Sequence, residues 1–293
     1  MSPEPISLHH GHLTFSALSS GEGPLVLLLH GFPDTPATFG EQITGLAQAG
    51  YRVIAPVLRG YEPSSQPSDG DYHAVRMAED VVAWLDDLHI ERAHLVGHDW
   101  GANIAYAAAS LAPERLLSLA TLAVPHPVRF SEAYARDTEQ QQRAAYILAF
   151  QQTGFEARLV ENGCAYLLEL WRQWSPGWAA PQTLIDELLQ AFEQPGVARA
   201  ALEYYRQAFD VESPAALAGA ALFSRPITVP TLGICGSNDG CIAAQIFRSA
   251  MQEADFPAGL RIVTVDGAGH FLHAEAPADV NRLLINWFEA PGG

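Results

Sequence analysis

Leu25-Val26-Leu27-Leu28-Leu29 is an unbroken apolar run of strand length that ends at His30-Gly31. A strand with one face to water alternates polar and apolar residues, whereas a run without polar breaks needs cover on both faces. Further segments that read as strands follow at Arg52 to Pro56, His94 to Val96, Leu116 to Val124, Thr231 to Cys235 and Leu260 to Val265. Helical segments fall between them. Thr35 to Ala49 is closed by Gly50, and Tyr72 to Leu88 places Val75, Ala78, Val81, Val82, Leu85 and Leu88 at helical spacing. Ala102 to Leu111 and Pro277 to Ala290 complete the set, and Ile6 to Leu18, with Gly11 inside, predicts a short hairpin at the start. Strands alternating with helices predict an α/β fold, a mostly parallel central sheet with helices on both faces. The alternation stops near Pro125-His126-Pro127 and resumes at Thr231; the stretch between reads as several helices. The expected organisation is a core of residues 1–130 and 223–293, with a helical cap of residues 131–222 inserted after the sixth strand.

A chain of 293 residues buries a sizeable core. Thirty-three acidic against sixteen basic residues give a formal charge of −17, which excludes the basic stripe a nucleic-acid partner requires and disfavours an anionic membrane surface. No apolar stretch approaches the roughly 20 residues of a membrane span. Residues 1–8 lack a basic segment followed by an apolar one, so no signal peptide is expected. Cys164, Cys235 and Cys241 are odd in number and lack metal-ligand spacing, and are expected as free buried thiols in a reducing, cytoplasmic compartment. No metal and no organic cofactor is expected.

Chemistry enters at Gly97-His98-Asp99-Trp100-Gly101, between the strand of Leu95-Val96 and the helix from Ala102. Glycines flanking a central side chain on a strand-to-helix turn lift that side chain to the carboxyl edge of the sheet, where open α/β folds bind ligands. The helix behind it favours an anion there. The central residue is Asp. A carboxylate is ionised without help from a base, attacks esters and amides poorly, and suits displacement at a saturated carbon, giving an alkyl-enzyme ester. Read alone, Asp99 could equally be a helix N-cap.

Hydrolysing such an ester takes a base and a residue to orient it. Gly267-Ala268-Gly269-His270-Phe271 follows the last strand and offers His270; Gly236-Ser237-Asn238-Asp239-Gly240 follows the preceding one and offers Asp239. The order Asp99, Asp239, His270 is that of nucleophile, acid and histidine in hydrolases of this strand-helix kind. After the first buried strand, His30-Gly31-Phe32-Pro33 offers the Phe32 N–H, which with the N–H of Trp100 would hold the oxyanion formed when water attacks the ester.

These motifs together resemble the α/β-hydrolase superfamily over nearly the whole chain, and within it the soluble epoxide hydrolases. The resemblance rests on His30-Gly31-Phe32-Pro33-Asp34-Thr35, Gly97-His98-Asp99-Trp100-Gly101-Ala102, Val124-Pro125-His126-Pro127, Gly236-Ser237-Asn238-Asp239 and Gly267-Ala268-Gly269-His270-Phe271. It implies an α/β-hydrolase fold with a helical cap carrying two tyrosines that act as acids on the epoxide oxygen. The segment from Tyr146 to Phe150-Gln151 is similar to the family's first tyrosine segment and Tyr204-Tyr205-Arg206 to its second, which carries the role to Tyr146 and Tyr205. Tyr134, Tyr166 and Tyr204 are read as packing residues with exposed hydroxyls. The chain departs from the family's Arg-Gly-Tyr-Gly loop at Glu62-Pro63, which changes that turn.

The implied reaction opens an epoxide to a vicinal diol, with a small apolar epoxide and water as the partners. His30, Pro33, Phe150, Trp171, Trp174 and Phe271 are candidates for an apolar pocket. A haloalkane dehalogenase with the same Asp-His-Asp logic is the nearest alternative, and a non-catalytic ligand-binding receptor on the same fold a second. A homodimer is left open.

Overall fold

The computed structural model describes residues 3–290. Eight strands form one sheet: β1 Glu4–His10, β2 Leu13–Ser20, β3 Leu25–Leu29, β4 Arg52–Pro56, β5 Ala93–His98, β6 Leu116–Leu122, β7 Thr231–Gly236 and β8 Leu260–Val265. Their order is β1-β2-β4-β3-β5-β6-β7-β8, antiparallel where β2 meets β1 and β4, and parallel from β4 to β8. The expected parallel sheet with an N-terminal hairpin is therefore the observed one. The central strands β3 and β5 are buried along their whole length, as unbroken apolar runs require.

Helices α1 Gly40–Gln48, α2 Ala74–Asp87 and α3 Trp100–Leu111 connect the early strands. The segment read as one helix from Thr35 begins instead as a 3-10 turn, Pro36–Phe39, capped by the Thr35 side chain. Between β6 and β7 lie α4 Pro127–Tyr134, α5 Thr138–Arg143, α6 Tyr146–Phe150, α7 Phe155–Trp174, α8 Gln182–Phe192, α9 Val197–Phe209 and α10 Pro214–Phe223. The first of them starts at Pro127, ahead of the boundary expected at 131, because proline suits the first turn of a helix. Helix α7 is broken at 161–164, where Asn162, Gly163 and Cys164 take positive φ. Helices α11 Ala244–Ala250, α12 Leu272–Glu275 and α13 Pro277–Phe288 complete the sheet's cover. Two apolar clusters, one on each face of the sheet, fill the interior, and Phe150, Trp171, Trp174, Phe192 and Tyr205 from the helices between β6 and β7 join the larger one.

The loop after β4 is pinned despite its departure from the family pattern. Arg59 grips Asp80 of α2 with two bonds, Nε to Oδ2 at 2.7 Å and Nη2 to Oδ1 at 2.5 Å. Glu62 accepts the Ser16 N–H of β2 at 2.6 Å, while Pro63 opens a short 3-10 turn. The three cysteines are free and buried. Among the described residues, no helix is long and apolar enough to cross a membrane.

Candidate active site

Asp99 stands between β5 and α3 with φ 50° and ψ −119°, a conformation that L-residues hold only under constraint. The constraint comes from its neighbours. A Cβ on Gly97 would run into the Gly101 carbonyl, one on Gly101 into the Leu29 carbonyl, and one on Gly31 into the Asp99 side chain. Only glycine lets the backbones of β3, β5 and α3 approach this closely. The result is a carboxylate 5% exposed at the carboxyl edge of the sheet. Its Oδ1 accepts the Phe32 N–H at 2.7 Å, ahead of a cis Phe32-Pro33 bond. The Trp100 N–H heads α3 with no preceding helical carbonyl to meet, and makes no hydrogen bond to the Asp99 side chain in this geometry.

His270 and Asp239 come to the same edge. His270 Nδ1 donates to Asp239 Oδ2 at 2.9 Å, and His270 Nε2 lies 3.4 Å from Asp99 Oδ2. Asp239 is held in turn by the N–H groups of Cys241 at 2.7 Å and Ile242 at 2.9 Å, both on Oδ1. Burial alone would push His270 towards neutrality; the carboxylates of Asp239 and Asp99 outweigh it and raise the pKa to about 10.

Tyr205 on α9 and Tyr146 on α6 lie with ring centroids 6.0 Å apart. The Tyr205 ring meets Phe32 and Trp100 edge-on at 5.2 and 5.0 Å, and its hydroxyl is buried without a partner. The Tyr146 hydroxyl lies 3.5 Å from Cys241 Sγ. Burial first, and the Asp99 charge among further causes, hold both phenols well above the ordinary tyrosine range, so both stay protonated.

The expected pocket residues divide by role. Phe32 is the hub of an aromatic cluster with Phe150, Trp174, Phe192 and Tyr205. Trp174 stands edge-on to His270 at 5.1 Å, and Phe271 packs on Trp171 at 5.0 Å. Trp171 Nε1 donates to the Pro33 carbonyl at 2.7 Å, tying α7 to the loop that carries Phe32. His30 is framework: Nε2 accepts the Leu58 N–H at 3.1 Å, Nδ1 faces the Gly31 carbonyl at 3.0 Å, and burial lowers its pKa to about 4. Tyr204 corrects an expectation. It is 1% exposed, and its hydroxyl donates to the Arg59 carbonyl at 2.7 Å, because α9 presses this residue against the loop after β4.

Several supporting contacts escaped the sequence reading. The Trp174 carbonyl accepts the N–H groups of both Gly240 (2.9 Å) and His270 (3.0 Å), one from each of two loops far apart in the chain. Ser175 Oγ accepts the Phe271 N–H at 3.1 Å and donates to Glu275, whose other oxygen accepts the Gly269 N–H at 2.8 Å. Behind them, buried Asp34, His98 and His273 place potential ligand atoms within 4.8 Å of one another. Their contacts favour a scaffold over a metal centre. The Asp34 carboxylate takes the Thr35 N–H and the Thr38 hydroxyl, His273 Nε2 meets Thr38 Oγ1 at 3.0 Å, and His98 Nε2 donates to the His270 carbonyl at 2.9 Å. The contacts that tie these residues to the site, such as His98 to the His270 carbonyl and His273 to Thr38, join residues distant in the chain, and no sequence motif announces them.

Comparison with known proteins agrees with this geometry. Residues 24–277 match the alpha/beta hydrolase fold family. An epoxide hydrolase of Caballeronia sordidicola is 31% identical, with 96% of this chain and 90% of that protein covered. Epoxide hydrolase A of Mycobacterium tuberculosis is 32% identical, with 90% of each covered. A crystal structure of an epoxide hydrolase from Vigna radiata superposes with a TM-score of 0.82 at 26% identity, covering 98% of both chains. By fold, by strand-end motifs and by similarity over nearly its full length, the chain belongs to the alpha/beta hydrolase fold family and groups there with the epoxide hydrolases.

Proposed function

We propose that this chain hydrolyses small apolar epoxides to vicinal diols through an ester on Asp99, beneath a cap of residues 131–222. The observation that carries the reading is one imidazole between two carboxylates, His270 at 2.9 Å from Asp239 and 3.4 Å from Asp99, with two protonated phenols in the field of Asp99.

In the first step an Asp99 oxygen attacks an epoxide carbon. The C–O bond breaks, its electron pair passes to the ring oxygen, and Tyr146 and Tyr205 bond to that oxygen while one gives it a proton. The resting His270 carries a proton, since its pKa is about 10. It reprotonates the phenol and is left neutral, which is the form a base requires. In the second step His270 takes a proton from water, and the hydroxide adds to the ester carbon of Asp99. The N–H groups of Phe32 and Trp100 hold the oxyanion. Collapse of this intermediate returns the Asp99 carboxylate, the second water proton goes to the departing alkoxide, and the diol leaves with His270 protonated again.

Two buried phenols that feel the Asp99 charge favour this reading over halide displacement, where a departing halide needs N–H donors and position 32 supplies only a Phe side chain. A single turnover of styrene oxide in heavy-oxygen water tests it. The first diol is expected to carry light oxygen taken from Asp99, with the label entering the protein. Label appearing directly in the diol would establish direct attack by water; halide release from a bromoalkane without diol formation would establish a dehalogenase; no product at any enzyme concentration would leave a binder. Three free thiols suit a reducing compartment, the cytoplasm.

A further inference from the structure

The loop bearing Asp239 is clamped by the same short stretch of cap that carries Tyr146. Gln140, 1% exposed on α5, uses both ends of its amide: Nε2 donates to the Cys241 carbonyl at 2.8 Å, and Oε1 accepts the Ala243 N–H at 3.1 Å. One turn on, Arg143 Nη1 donates to the Asp239 carbonyl at 2.9 Å. One further turn on, the Tyr146 hydroxyl reaches Cys241 Sγ. Four contacts from three residues spaced three apart thus meet a single five-residue loop, and Cys241 joins the two sides: its N–H fixes the Asp239 carboxylate and its thiol touches the phenol.

A buried primary amide with both ends bonded to one loop is costly to disturb, because either broken bond strands a polar group away from water. A thiol is a weak hydrogen-bond partner. It parks the Tyr146 hydroxyl without competing strongly with an incoming oxygen. Resting on the epoxide-opening reading above, we infer that Gln140 and Arg143 are positioning residues that set the reach from Tyr146 to the substrate oxygen by locking α5 and α6 onto the Asp239 loop. Neither touches the reacting atoms. They act through Tyr146 on ring opening and through the Asp239 backbone on the orientation of His270.

A double-mutant cycle on the alkylation step tests this, measured in single turnovers of styrene oxide with enzyme in excess. Gln140→Met keeps length and burial and removes both bonds; it is expected to slow alkylation on the order of tenfold, as small misplacements of a reacting group do. In a Tyr146→Phe background the same substitution is expected to cost less than about twofold, because the group it positions is already gone. Arg143→Met, at a half-buried site, follows the same pattern with a smaller first effect. Losses that multiply in the double variants, or a Gln140→Met enzyme as fast as wild type, would overturn the inference while leaving the ester mechanism intact. A wild-type enzyme that forms no diol would sink the mechanism instead. Hydrogen exchange judges the clamp independently of chemistry. Gln140→Met is expected to lower protection of the 239–243 amides and of residues 144–150 together; loss confined to one of the two segments would show that they are not locked to each other.

Discussion

At the scale of single residues, the proton on His270 is the feature with most consequence. Burial disfavours the imidazolium, and only the adjoining carboxylates hold its pKa near 10. In the proposed mechanism, esterifying Asp99 would remove one of those charges and lower the pKa when the base is needed. The alkylation rate is therefore expected to be flat from about pH 6 to 9, while ester hydrolysis rises with pH to a plateau whose apparent pKa lies below that of the resting enzyme. Rapid-mixing measurements across pH separate the two steps; an alkylation rate that climbs with pH would mean that the resting histidine must first lose its proton. His270→Gln is expected to halt the second step and accumulate the alkyl-enzyme, visible as a mass increase equal to one substrate. Stability follows the same proton. The folded state binds it more tightly than an unfolded histidine of pKa 6.5, so the stabilisation is complete below pH 6.5 and disappears as pH rises through about 10. The Tm gap between wild type and His270→Gln is expected to be widest at the acid end of that window and to close at the alkaline end; a gap that widens with pH would contradict the assignment.

At the scale of elements, the end of α7 belongs to the site as much as the strand ends do. The Trp174 carbonyl holds the Asp239 and His270 loops together, and Ser175 and Glu275 brace the second of them. Ser175→Ala removes an acceptor from the buried Phe271 N–H and a donor from Glu275, whose pKa burial raises. It is expected to destabilise by about 1–3 kcal/mol and to slow ester hydrolysis more than alkylation, since it loosens the base and leaves the nucleophile alone. Calorimetry and single-turnover kinetics check the two halves; equal slowing of both steps would refute the assignment. The same contacts mark where sequence reading stops. Strands such as Leu25–Leu29 are legible because an apolar run without polar breaks has one physical meaning, and Asp99, Asp239 and His270 are legible because each follows such a strand in a glycine-framed turn. Trp174 matters through its carbonyl, an atom that every residue possesses, so its side chain could not announce it. Tyr204 reads as a packing residue with an exposed hydroxyl, because the sequence does not give the Arg59 carbonyl that accepts from that hydroxyl. His98 stood inside a motif as a variable position; its role appears only when Asp34 and the His270 carbonyl are brought beside it.

For the molecule as a whole, the controlling quantity is charge. All sixteen basic side chains are arginines, and lysine is absent from the sequence. Arginines are spent locally: Arg59 on Asp80, Arg129 on Asp255, and Arg206 on Glu156 and Glu203. What remains unpaired is mostly acidic, with a formal net charge of −17. At about 0.01 M salt the screening length is about 30 Å, enough for these charges to repel one another across the whole fold; at about 1 M it is about 3 Å and they do not. Exposed ion pairs lose at most about 1 kcal/mol each to the same screening, and the buried Arg59–Asp80 pair is shielded from it. Relief of repulsion should win, so Tm is expected to rise by a few degrees between low salt and about 0.5 M sodium chloride; a fall would mean that the surface pairs outweigh the net charge. The same field bears on substrate choice. A neutral epoxide feels no long-range force, so its kcat/KM is expected to be independent of salt. An epoxide carrying a carboxylate is repelled on approach, and its kcat/KM is expected to climb as salt is added. Measuring both substrates on one enzyme preparation cancels any effect of salt on folding or catalysis; parallel responses would show that the acidic surface has no part in selecting neutral molecules.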